Sequence, residues 1–107
     1  MLSQVAIQEA VTRIVSVAQS PLKVIVFGSY ATGRAHDSSD LDLLVVEDEI
    51  DSMPAEYGKI RSALGTMGVG VDLLLYPKQE FDKRVNWQSS PVFDAVRQGQ
   101  VLYERPH

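Results

Sequence analysis

Three short apolar runs limit what this chain can become: Leu22 to Phe27, Asp40 to Val46 and Val69 to Tyr76. Each has the length of a strand, is rich in aliphatic and β-branched residues, and is bounded by glycine, proline or polar turns. Each therefore reads as a strand. Helical spacing fills the gaps between them. From Ser3 to Gln19 the residues Ile7, Val11, Ile14 and Ala18 recur at four, three and four, giving one apolar face that ends at Ser20-Pro21. Asp51 or Ser52 can cap a second helix with Pro54 in its first turn, in which Met53, Tyr57, Ile60 and Leu64 repeat at four, three and four. A short helix over Lys78 to Asn86 would turn Phe81 and Val85 inward. Ser90, Pro91 and Gly99 frame a last one with Val92, Phe93 and Val96 on one side. Tyr30 to Ser39 reads as a helical turn and loop, and Val101 to Tyr103 as an edge strand. Strands alternating with amphipathic helices predict an α/β (α+β) fold, a small mixed β-sheet with helices packed on it.

The 107 residues, 45% of them hydrophobic, suffice for one core, so a single domain over 1–107 is expected, with Glu104 to His107 as a tail. The chain has no cysteine, which excludes disulfides and thiolate metal sites. With no leader-like or membrane-spanning run, a soluble cytoplasmic protein is expected. A formal charge of −4 argues against a surface that neutralises many phosphates, so no direct binding of long nucleic acid and no membrane partner is expected. The dense acidic stretch from Glu47 to Asp51 reads as a solvated loop.

Acidic residues inside strands need a different explanation. Residues two apart on a strand share a face, so Asp40 and Asp42 project their carboxylates together. Like charges held side by side resist ionising unless a cation neutralises them. Hard oxygen ligands select magnesium or manganese, whose remaining coordination is completed by water and phosphate oxygens. Asp72, the one charged residue in Val-Asp-Leu-Leu-Leu, has the same need for a partner. Three carboxylates on neighbouring strands can hold two metal ions about 4 Å apart, the arrangement suited to displacement at phosphorus. Gly28 and Ser29 end the first strand, where the glycine permits close backbone approach and the serine offers an N–H and a hydroxyl to a phosphate. Arg34 can pair with phosphate oxygens through its planar fork, or be an ordinary solvated loop residue. His36 and Asp37 lie in the same polar loop and read as incidental and turn-forming respectively. Tyr30, Trp87 and Phe93 read as core or partial core.

Gly28-Ser29, ten residues, then Asp40-Leu41-Asp42 resembles the signature of the DNA polymerase beta nucleotidyltransferase superfamily. Phe-Gly-Ser-Tyr-Ala-Thr-Gly-Arg followed by Ser-Ser-Asp-Leu-Asp-Leu-Leu-Val is similar to its minimal members, the MNT proteins. The segment from Ser90 to Glu104 resembles the end of many such proteins. The resemblance implies a palm-like nucleotidyltransferase fold. It implies that Gly28 and Ser29 hold a triphosphate, that Asp40 and Asp42 bind two Mg²⁺ ions, and that Asp72 completes the site. Many minimal members are antitoxins encoded beside a HEPN ribonuclease toxin, which they silence by adding AMP from ATP to a tyrosine. No segment here is expected to hold an acceptor, so the acceptor would come with such a partner. Two other readings are a non-catalytic antitoxin that acts by covering its toxin and a transferase acting on a small molecule.

Overall fold

The computed structural model describes residues 1–106 and contains, among them, five helices and four strands. Helix α1 (Gln4–Val17) opens the fold. Its N-cap Ser3 accepts the Ala6 N–H; Ile7, Val11 and Ile14 are buried as the spacing predicts and Ala10 joins them, whereas Ala18, expected on the same face, is the C-cap and only partly buried. Strand β1 (Pro21–Phe27) follows, then the single-turn helix α2 (Ser29–Thr32) and strand β2 (Leu41–Glu47). Helix α3 (Met53–Leu64) is capped by Ser52 and leads to strand β3 (Val71–Pro77). Helices α4 (Lys78–Arg84) and α5 (Pro91–Gln98) precede strand β4 (Gln100–Glu104).

The strands form one mixed sheet in the order β3-β2-β1-β4. β1 lies antiparallel to both β2 and β4, whereas β2 and β3 run parallel, joined by the α3 crossover. Both faces are covered. Val24, Val26, Leu41, Leu43, Val45, Leu73 and Leu75 pack with residues of α1 and α3. Ile25, Leu44 and Val46 pack with Val92 and Ala95 of α5, with Phe81 and Val85 at the margin. This double coverage is why β2 reads as an almost unbroken apolar run.

Several expectations shift. β2 begins one residue later than expected, so Asp40 stands just before the strand. Glu47 is no loop residue: it closes β2 and is 0% exposed. In α3, Met53 and Tyr57 are exposed while Glu56 is buried with Ile60 and Leu64, because Glu56 faces Glu47 and the N–H of Gln19. Trp87, expected in the core, is 51% exposed, with the Arg84 guanidinium stacked 5.6 Å from its ring. Val96 also faces outward. The expected tail is in part structural: Glu104 belongs to β4, and Arg105 donates to the Pro21 carbonyl. His107 lies outside the described residues. No helix among them is long and apolar enough to cross a membrane.

Candidate active site

The parallel register of β2 and β3 sets Asp42 directly beside Asp72. By strand alternation both carboxylates lie on the sheet face that carries Leu44, Val46, Leu74 and Tyr76, towards α4 and α5. Phe27 is the neighbour of Asp42 on the other side, in β1. An open depression is lined by Phe27, Asp42, Asp72, Leu73 and Leu74, with Tyr57 and Arg61 from α3 and Pro91 from α5.

Asp42 is half-buried, and its carboxyl is pushed up to about 6. Burial is the largest cause, followed by a shared hydrogen bond with the Asp72 carboxyl and the negative charges of Asp72 and Asp40. A proton is thus a substitute for missing positive charge. Asp40 is exposed but held by a close fit: a Cβ on Gly70 would collide with its carboxylate. Gly28 plays the matching part for Asp42, since a Cβ there would run into the Asp42 carboxylate. Its φ of 70° adds a second reason for glycine at that position. The backbone is further fixed by the Leu41 N–H, which donates to the Gly70 carbonyl at 2.8 Å.

Among the described residues no three carboxylates or imidazoles close on one point as a finished metal cage. The donor set nevertheless fits a hard divalent cation. It is all oxygen, its like charges are uncompensated, and magnesium asks only one or two carboxylates of a protein, leaving the rest to water and phosphate.

Donors suited to a phosphate follow directly after Phe27. α2 starts at Ser29 with no side-chain cap; the Ala31 and Thr32 N–H groups donate to the Gly28 carbonyl, which leaves those of Ser29 and Tyr30 to face an anion. Gly28, Ser29, Thr32, Arg34 and Gln98 line a second depression, separated from the carboxylates by the Phe27–Gly28 step. The structure therefore brings Gly28, Ser29 and Arg34 together on one side and Asp42 with Asp72 on the other, while Asp40 adds its charge from outside the lining of that depression. His36 serves its own loop: its N–H donates to Ser39 Oγ, and its carbonyl accepts the Ser39 N–H. Asp37 pairs with the N-terminal amine at 3.2 Å. Sequence reasoning missed Tyr57, Arg61, Thr32, Gln98 and Pro91 as lining residues. Thr32 alone had a signal, its place within the Gly-Ser-Tyr-Ala-Thr-Gly-Arg stretch.

Comparison with known proteins agrees with this geometry. A family model described as "Nucleotidyltransferase domain" matches residues 7–99. The chain is 31% identical over 105 residues to a Methanocaldococcus jannaschii protein named "Putative protein adenylyltransferase", covering 96% of this chain and 100% of that one. Among solved structures, a toxin–antitoxin complex with AMP-PNP contains a chain of TM-score 0.66 and 20% identity, with 92% of this chain and 73% of that chain covered. A complex of tri-AMPylated Shewanella oneidensis HEPN toxin with MNT antitoxin gives a TM-score of 0.63 at 17% identity, covering 97% and 74%. At these identities the structural likeness is one of fold. The family match and the archaeal relative, each spanning most of the chain, identify this protein as a member of the nucleotidyltransferase domain family.

Proposed function

We propose that this nucleotidyltransferase moves AMP from ATP to a hydroxyl of a partner protein, a tyrosine of a HEPN-type toxin, and so acts as an antitoxin. The observation that carries the chemistry is the pairing of Asp42 with Asp72 across the β2–β3 register, with the charge of Asp40 added, beside the uncapped start of α2. The name of the archaeal relative and the AMPylated toxin in a fold neighbour support the choice of donor and acceptor.

In this reading Gly28 and Ser29 receive the triphosphate on backbone N–H groups and the serine hydroxyl, and Arg34 pairs with its outer oxygens. Asp40 and Asp42, with Asp72, would hold two Mg²⁺ ions, which supply charge neutralisation at the attacking and leaving oxygens. The acceptor oxygen attacks the α-phosphorus, a new P–O bond forms, and the bond from that phosphorus to the bridging oxygen of the β-phosphate breaks. Pyrophosphate leaves, and the hydroxyl proton passes to Asp72, which is exposed on the outer strand, and on to water. Positioning and electrostatics carry the rate, since no covalent bond to the protein is needed.

Intact-mass spectrometry of the product of the neighbouring gene, after incubation with this protein, ATP and Mg²⁺, tests the proposal. A gain of one adenylate or its multiples is expected, lost when the acceptor tyrosine is replaced by phenylalanine. An authentic partner that is neutralised without any mass gain would contradict it.

A further inference from the structure

Among the described residues β3 is the outer strand of the sheet on the site's side, with β2 along one edge and no strand along the other. Its inner edge is fixed by the register with β2 and by the bond from the Leu41 N–H to Gly70 O. Among the described residues, the outer edge at the start of the strand is held by a single side chain. Arg61, in the last turn of α3, donates from Nη2 to the Val71 carbonyl at 2.7 Å. Its Nε donates to the Tyr57 hydroxyl at 3.2 Å, and its guanidinium lies 5.6 Å from the centre of the Tyr57 ring. The side chain is half-buried and forms no ion pair within 4.0 Å among the described residues, so its charge is spent on a backbone carbonyl. Val71 immediately precedes Asp72, and Arg61 lines the same depression as Asp42 and Asp72.

We propose that Arg61 is a positioning residue, braced by Tyr57, that clamps the start of β3 and so holds Asp72 opposite Asp42 for divalent-cation binding. This rests on the carboxylate reading of the site given above. A charge-assisted bond from a helix to an edge carbonyl is short and directional, and the planar fork lets one guanidinium hold two fixed partners at once. Without it, the outer carbonyl is left to water and the first residues of an edge strand are free to fray. Asp72 then keeps its charge but loses its fixed place.

Two measurements on the full chain without nucleotide test this, amide hydrogen exchange and Mn²⁺ binding followed by electron paramagnetic resonance. In Arg61→Ala, exchange at the Asp72 amide, which the register turns towards Leu41, should rise at least tenfold while the amides of Leu74 and Tyr76 stay protected, and Mn²⁺ affinity should fall at least fivefold. Arg61→Lys, which restores one donor but not the fork, should recover part of both. Tyr57→Phe should fall between Arg61→Lys and wild type. Unchanged exchange at the Asp72 amide in a folded Arg61→Ala overturns the clamp. Raised exchange with wild-type Mn²⁺ affinity overturns the positioning role. A wild-type protein that binds no Mn²⁺ sinks the carboxylate reading and the positioning role with it, and exchange then still reads the clamp alone. If Arg61→Ala does not fold, Arg61→Lys and Tyr57→Phe decide by the same criteria.

Discussion

Burial and the neighbouring Asp72 push the Asp42 carboxyl from 3.8 to about 6, which makes the site a competitor for protons as well as for metal. Because the folded value is raised, the stability this group contributes in metal-free protein is complete below about 3.8 and is lost as pH rises through about 6. A divalent cation binds the ionised form, so it should restore what ionisation removes. Thermal melts with and without millimolar Mg²⁺ should show a small upward shift at about pH 5 and a larger one at about pH 7.5; equal shifts at both would mean that Asp42 is not where the ion binds. Gly70 yields a second expectation. It has no positive φ, so alanine there disturbs little but the Asp40 carboxylate that its Cβ would strike. Gly70→Ala should lose well over tenfold in transfer rate while chemical denaturation registers a stability change under about 1 kcal/mol. The spacing of Asp40 and Asp42 made these two carboxylates legible in the sequence. Gly70 and Arg61 were not, because what they do depends on which atoms the β2–β3 pairing brings beside them.

The far end of β2 shows how an acidic run can mislead. Glu47 closes the strand fully buried, with Oε1 accepting the Ser20 N–H at 2.8 Å and Oε2 without a partner. Opposite it stands Glu56, 4% exposed, which accepts the Gln19 N–H and pairs with Lys59 at 2.9 Å. Burial first, then the Glu56 carboxyl, push Glu47 up to about 7, and a proton on Oε2 donated to Glu56 satisfies the orphan oxygen. Glu56 is held below its usual range despite its burial, by hydrogen bonds from Glu47, Gln19 and Lys59. Glu47 therefore contributes stability that is lost as pH rises through about 7, and Glu56 stability that is lost in acid, leaving the pair best between the two. With Mg²⁺ present to silence Asp42, stability from urea denaturation should fall by about 1 kcal/mol from about pH 6 to about pH 8. Glu47→Gln, whose amide donates to Glu56 at every pH, should flatten that fall; an unchanged slope would place the proton elsewhere. Charge density alone suggested a solvated loop here. The tertiary pairing of β2 with the α1–β1 turn and α3 is what buries its first residue.

The fold as a whole gathers its functional groups at one end. β2 and β3 start there, β1 ends there, and α2 and α5 begin there, so the Gly28-Ser29 turn and the carboxylates become neighbours although they are distant in sequence. Alternating apolar runs and helical periodicities were enough to read the α/β class, the helices and the four strands, the last as an edge strand. The strand order β3-β2-β1-β4 was not legible, since three apolar strands of similar length can pair in several ways and only the packed helices choose among them. The exposure of Trp87 and Val96 escaped for a related reason: Val96 on α5 and Trp87 in the turn before it stay outside when Ala95 and Val92 already fill the space against the sheet. The central claim is that this end of the molecule transfers a nucleotidyl group. It is tested most directly by incubating the protein and its partner with ATP labelled either at the α- or at the γ-phosphate. Label from the α-position should appear on the partner, none from the γ-position, and Asp42→Asn should abolish the signal in a folded protein. Label from the γ-position on the partner, or full α-labelling by Asp42→Asn, would contradict the account.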